Sequence, residues 1–135
     1  MDYDIVAGVG PNKVLVVGAG KTGLAVARFC MERGAQVTVT DHKSKPELSN
    51  QLEQLGDIPV KLELGGHSPK TFLNQDLVIL SPGIPSGLKI FDYARSQGIR
   101  ITGEFEFSTQ FIKEPIIAIT GTTGKTTTSK LVEAM

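Results

Sequence analysis

From Lys13 onward, short β-branched runs alternate with stretches of helical period, and a glycine-rich turn joins the first strand to the first helix. That alternation constrains the fold more than any other feature. A helix between two strands returns the chain to the edge it left, so successive strands pair in parallel and the helices cover the sheet. Lys13-Val-Leu-Val-Val17 has the continuous apolar character of a strand buried on both faces. Residues 22–33 place Leu24, Ala27 and Met31 on one helical face, with Gly34 as the C-terminal stop. The pattern repeats: strand 36–40, helix 46–55, strand 60–64, a short helical or turn segment at 69–74, and strand 76–80. Helix 87–97, strand 98–101 and helix 104–111 follow, the last with Glu104 and Glu106 in the first turn, where the helix dipole favours them.

The junctions carry the chemistry. Gly18-Ala-Gly-Lys-Thr-Gly23 is a G-x-G-x-x-G turn between strand and helix. Glycine there permits a tight turn and lets the amides of the helix N-terminus approach a phosphate. Asp41 closes the second strand, about where a dinucleotide-binding domain puts its ribose-binding carboxylate. Packing of helix against strand also selects small residues at such turns, so the turn alone leaves a structural role open. Lys21-Thr22 after Gly20 mimics a phosphate-loop GKT, but Leu15 stands where that motif needs its first glycine. Ser81-Pro-Gly-Ile-Pro85 lies at the carboxyl end of the fourth strand, the end at which open parallel sheets bind ligands. A proline-fixed turn with Gly83 in an unusual conformation is compatible with that role. The expected class is α/β, a Rossmann-like parallel sheet with helices on both faces.

Ile112-Lys-Glu-Pro115 interrupts the alternation, and a new strand, 116–119, opens into Thr120-Gly-Thr-Thr-Gly-Lys-Thr-Thr127. Its backbone amides and helix dipole would form an anion nest. Lys125 would neutralise phosphate oxygens, and the Thr126 hydroxyl is placed to ligate Mg²⁺. The spacing departs from G-x-x-x-x-G-K-S/T, since Ile119 takes the first glycine's place and Gly121 and Gly124 are close together. A helix begins there and the chain ends at Met135, as expected of a truncated ATP-binding unit. The expected organisation is a flexible lead over residues 1–12, a Rossmann-like domain over 13–112, and a linker with the start of a second domain over 113–135.

Composition supports a folded domain. Hydrophobic residues make up 40% of the 135, and charged residues 21%. Fourteen basic residues balance fourteen acidic ones, so no charge footprint for nucleic acid or an anionic membrane is visible and phosphate binding must be local. No apolar run approaches the ~20 residues that span a bilayer, and Asp2 and Asp4 do not suit a secretion signal, which points to the cytoplasm. Cys30, the single cysteine, sits in an apolar stretch and reads as a small buried hydrophobe. His67, in Gly65-Gly-His-Ser68, reads as a loop histidine without a catalytic part.

Ala118-Ile-Thr-Gly-Thr-Thr-Gly-Lys-Thr-Thr127 closely resembles the ATP loop of the Mur ligases and their folylpolyglutamate synthetase relatives, shortened glycine spacing included. The folylpolyglutamate synthetases lack a G-x-G-x-x-G domain about 100 residues upstream, which narrows the resemblance to the Mur ligases. Within them, Ser81-Pro-Gly-Ile-Pro85 and Gly103-Glu-Phe-Glu-Phe107 resemble the D-glutamate-adding branch, and the resemblance runs over residues 13–135. It implies a first domain that holds the uridine diphosphate of the substrate instead of a dinucleotide. Gly18, Gly20, Lys21, Thr22 and Gly23 would meet the diphosphate or ribose. Asp41, His42 and Lys43 would lie beside the uridine, with Ser81, Pro82 and Gly83 as the opposite wall. Gly121, Thr122, Thr123, Gly124, Lys125, Thr126 and Thr127 would hold ATP, with Lys125 and Thr126 catalytic and Thr126 the Mg²⁺ ligand. The implied reaction joins D-glutamate to UDP-N-acetylmuramoyl-L-alanine through an acyl phosphate, in a monomer with no nucleic-acid or membrane partner. Other readings stay open at this point: another Mur ligase, an NAD(P)-binding oxidoreductase or sensor, and a stand-alone UDP-sugar-binding module.

Overall fold

A computed structural model describes residues 12–115 and, beyond them, positions 117, 124, 130, 131, 133 and 134. The elements run β1 (Lys13–Val17), α1 (Lys21–Glu32), β2 (Gln36–Asp41), a 3-10 turn (Pro46–Leu48), α2 (Ser49–Leu55), β3 (Lys61–Leu64), α3 (Pro69–Leu73), β4 (Leu77–Leu80), α4 (Lys89–Ser96), β5 (Arg100–Gly103) and α5 (Glu104–Thr109). The five strands are parallel, in the order β3-β2-β1-β4-β5. The chain steps outward from β1 to β3, then crosses back to place β4 on the other side of β1. Val17 therefore lies in register with both Thr40 and Leu80. The crevice where the strand order reverses, at the carboxyl ends of β1 and β4, is the ligand position of open α/β sheets.

Alternation along the strands divides the core into two layers. Val14, Val16, Val39 and Ile79 face α1, α2 and α5, packing with Leu24, Ala27, Cys30 and Phe107. Leu15, Val17, Val78 and Leu80 face α3 and α4, against Phe72, Phe91 and Ala94. Helices thus cover both faces, which is why β1 and β4 carry apolar side chains at nearly every position. The edge strand β3 is far less buried and places Lys61 and Glu63 where a bare edge would otherwise invite pairing. Cys30 is fully buried in the first layer. Burial pushes its thiol up to about 12, against a small opposing pull from Arg33, so the cysteine is an inert packing residue.

Several boundaries differ from the sequence reading by a residue or two; α4, expected over 87–97, runs Lys89–Ser96. β5 runs Arg100–Gly103 instead of 98–101, because Gly98 and Ile99 close α4: their N–H groups donate to Arg95 O at 3.0 Å and Ala94 O at 3.1 Å. The helix expected over 46–55 splits into the 3-10 turn and α2, and α5 ends at Thr109 before reaching 111. The lead over residues 1–11 lies outside the described residues, as does the strand expected over 116–119 apart from Ile117.

Candidate functional site in the crevice between β1 and β4

The glycine turn is built by close contact with the loop after β4. Gly18 leaves β1 with φ +106, its N–H donating to Thr40 O at 2.8 Å. A Cβ there would lie 2.9 Å from Ser81 Cβ. At Gly23, in the first turn of α1, a Cβ would run into the Gly18 carbonyl oxygen and come within 2.7 Å of Ser81 Oγ. Gly20 is different: it has φ −74°, and a Cβ would meet nothing within 4 Å. Packing therefore accounts for Gly18 and Gly23, whereas Gly20 borders open space at the N-terminus of α1. Among the described residues no side chain caps that helix, whose first ladder bond is Leu24 N–H to Gly20 O at 3.0 Å. An uncapped twelve-residue helix beside a bare glycine presents amides and a positive dipole end to an anion.

The opposite wall is a type II turn. Ser81, buried, donates its N–H to Val17 O at 3.0 Å, and the Ile84 N–H closes the turn on Ser81 O at 3.3 Å. Pro82 fixes the first corner and Gly83, at φ +87, takes the second, a conformation that L side chains rarely adopt. The Ser81 hydroxyl lies 3.4 Å from Gly18 O, so the two walls touch at their base. A cavity of about 450 Å³ continues past Ser81, Pro82 and Gly83 to Thr102, Glu104 and Glu106. Glu104 Oε2 is buried there without a hydrogen-bond partner among the described residues.

Asp41 ties the third side together. Its Oδ2 accepts the Ala19 N–H at 2.7 Å and its Oδ1 the Lys43 N–H at 2.8 Å, with His42 Nδ1 at 3.3 Å from the same Oδ1. Burial alone would raise its pKa, but the amides of Ala19 and Lys43, with the charges of His42 and Lys43, outweigh that and hold the carboxyl below the usual range. Because the folded state holds the carboxylate ionised more firmly than the unfolded chain, its stabilising effect is complete above 3.8, the ordinary aspartate value, and is lost as pH falls through the lower folded value. Asp41→Ala is expected to strand two amides at a cost of about 1–3 kcal/mol. Thermal melts of both forms should show the gap at pH 7 and its narrowing as pH falls below 3.8; equal melting temperatures at pH 7 would show that the carboxylate does not brace the turn.

The other expected site residues fall around this frame. Lys21 and Thr22 are exposed at the start of α1, Lys21 toward a groove against α2 and Thr22 toward a cavity shared with Glu104 and Phe107. His42 and Lys43 are exposed beyond β2. Of residues 121–127, only Gly124 lies within the described residues; its φ is +78. Gly121, Thr122, Thr123, Lys125, Thr126 and Thr127 lie outside them. The described residues contain no group of three or more His, Cys, Asp or Glu side chains that could hold a metal ion. The sequence reading assigned no site role to Thr40, which resembled an ordinary strand former, or to Glu104, noted for its place in a helix and within Gly103-Glu-Phe-Glu-Phe107.

Residues 12–103 match the family model for the Mur ligase MurD-like N-terminal domain. This chain belongs to that family. The match ends at Gly103, immediately before α5, although Phe107 of α5 is buried in the same core. The chain is 75% identical over 124 residues to the UDP-N-acetylmuramoylalanine–D-glutamate ligase of Bdellovibrio bacteriovorus, covering 92% of this chain and 27% of that protein. Against the ligase of the same name from Citrifermentans bemidjiense it is 50% identical over 120 residues, 89% of this chain and 26% of the relative. The chain thus spans about a quarter of the length of these Mur ligases. Among solved structures, the pseudomurein peptide ligase type C of Methanothermus fervidus and the UDP-N-acetylmuramate-alanine ligase MurC of Thermotoga maritima each align with a TM-score of 0.58 and 27% identity. Each alignment covers 90% of this chain, with 25% of the former structure and 28% of the latter.

Proposed function

We propose that this chain is the nucleotide-holding front part of an ATP-dependent ligase of peptidoglycan precursor synthesis, one that adds D-glutamate to UDP-N-acetylmuramoyl-L-alanine. The observation that carries the reading is the uncapped N-terminus of α1 beside Gly20, at the switch point of a MurD-like domain. The diphosphate would lie on the first-turn amides of α1, with Lys21 and Thr22 flanking it. The uridine would extend between the Asp41–His42–Lys43 corner and the Ser81–Pro82–Gly83 wall. The 75% identity to a ligase named for D-glutamate favours that acceptor over the other Mur ligase substrates.

The same geometry argues against a dinucleotide. Asp41 already accepts one backbone amide on each carboxylate oxygen, so it is less free to grip a ribose diol than the acid of a dinucleotide-binding turn. Residues 121–127 would bind ATP in the whole enzyme, Lys125 on the phosphates and Thr126 on Mg²⁺. ATP would supply the phosphoryl group that activates the substrate carboxylate as an acyl phosphate. We place the division between the two domains near residue 112. No described helix is long and apolar enough to cross a membrane, and a monomer acting in the cytoplasm fits a soluble nucleotide-linked substrate. Calorimetric titration of this chain with UDP and with NAD⁺ tests the reading: tighter binding of UDP is expected, and tighter binding of NAD⁺ would overturn it.

A further inference from the structure

The loop after β3 is seated on the end of β2, next to the proposed uridine corner. The Gly65 N–H donates to Asp41 O at 3.0 Å and Lys43 O at 2.9 Å, and the Gly66 N–H donates to Asp41 O at 3.1 Å. Beneath them Thr40, fully buried, has its hydroxyl 3.2 Å from Gly66 O and 2.9 Å from His67 Nδ1. A hydroxyl has one proton and a carbonyl oxygen only accepts. For both contacts to be hydrogen bonds, Thr40 must donate to Gly66 O, and His67 Nδ1–H must donate to Thr40. A neutral imidazole carries one N–H, so its Nε2 then bears a lone pair. The Phe72 ring, edge-on at 6.1 Å and 86°, packs beside the imidazole and helps fix its plane. Nε2 has no partner among the described residues. The one buried, unpartnered side-chain polar atom found among them is Glu104 Oε2, so Nε2 reaches solvent.

We propose that His67, oriented by Thr40, is a further specificity residue of the nucleotide crevice, its Nε2 accepting a hydrogen bond from a donor of the uridine, the imide N–H or the ribose 2′-hydroxyl. The proposal rests on the UDP reading given above. The charged groups facing His67 are Asp41 and His42 from the end of β2 and Glu63 from β3, while α3 contributes the uncharged ring of Phe72. Burial is the main influence and lowers the imidazolium pKa, Asp41 and Glu63 oppose it, and His42 reinforces it. The net shift is downward, so the ring is neutral at pH 7 and keeps its acceptor. UDP affinity should hold steady above the ordinary value of 6.5 and fall as pH drops through the lower value of His67, where Nε2 gains a proton.

Two measurements on this chain test the assignment. Nitrogen-15 NMR of the histidine ring in the ligand-free protein at pH 8 should report the Nδ1-protonated tautomer; the Nε2-protonated form would overturn the proposal. In UDP titrations, His67→Phe should weaken binding roughly three- to tenfold, the worth of one hydrogen bond, and His67→Gln, which retains an acceptor, should recover part of it. The terminal phosphate of UDP itself titrates, with a pKa of about 6, so the acid-side loss must be larger in the unmodified chain than in His67→Phe. N3-methyl-UDP and 2′-deoxy-UDP separate the two donors: His67→Phe should leave unchanged the affinity for whichever analogue lacks the contacted group. Equal weakening of both analogues, or normal UDP binding by His67→Phe, overturns the His67 assignment alone. Failure of the unmodified chain to bind UDP overturns the nucleotide reading and this proposal with it.

Discussion

Gly23→Ala should destabilise the domain by about 3 kcal/mol or more, at the upper end of overpacking effects, and abolish UDP binding, while Gly20→Ala should fold almost normally. Both glycines belong to one sequence motif, yet their surroundings are opposite. At Gly23 the added methyl meets the Gly18 carbonyl oxygen, which is backbone, and Ser81 Oγ at 2.7 Å. Neither can yield cheaply. Gly18 is held by its bond to Thr40 O, and Ser81 by its bond to Val17 O. Relief would require α1 to move off β1, opening the layer that contains Leu24, Ala27 and Cys30. For a domain of this size the melting temperature should fall by roughly 10–20 °C. At Gly20 the methyl meets nothing and φ is −74°, so the fold should lose no more than about 1 kcal/mol, the effect of a weaker N-cap residue. The cost there should appear in UDP affinity, lowered about tenfold by a methyl in the path of the phosphate. Melting curves and UDP titrations of both variants separate the roles. A Gly23→Ala protein as stable as the unmodified chain would show that α1 is not seated by this contact.

How much of this was legible in the sequence follows from how local each cause is. β1 and β4 were readable because burial on both faces leaves almost uninterrupted apolar runs, and the parallel sheet followed from the alternation with helices. The start of β5 was misplaced because Gly98 and Ile99, apolar and extended on paper, are consumed in closing α4. The G-x-G-x-x-G turn was visible as a ligand motif. Which of its glycines serve packing was not, since that depends on Ser81, 63 residues beyond Gly18. Asp41 was found by position, but its bonds to Ala19 and Lys43 became visible only with the turn folded over it. His67 and Thr40, 27 residues apart, carry no shared sequence signal, because a β-branched strand residue and a loop histidine are each unremarked alone.

Lys125→Ala, made in the whole protein, should lower the rate of the proposed amide ligation by about three powers of ten or more while leaving UDP affinity unchanged. Residues 121–127 resemble the Mur ligase ATP loop, in which the lysine would meet the phosphates. Phosphoryl transfer to a carboxylate brings two anions together, and little covalent chemistry falls to the protein. Most of the acceleration comes from positioning and from cancelling charge on the transferring group, so removing one cation in a water-poor site has a large effect on rate. The proposed UDP crevice draws on a different set of residues. Its parts, from Val17 through the α1 amides, Asp41 and the Ser81 turn to Gly103, belong to the region matched by the family model, which ends before the loop. The substitution should therefore reduce kcat and spare UDP binding, with Lys125→Arg recovering only part of the rate because a planar guanidinium does not reproduce a compact ammonium. Steady-state ligation assays with UDP-N-acetylmuramoyl-L-alanine, D-glutamate and ATP, paired with UDP titration, measure the two effects separately. Turnover within a few fold of normal would show that residues 121–127 do not handle phosphate, and a matching loss of UDP affinity would show that the two sites are not independent.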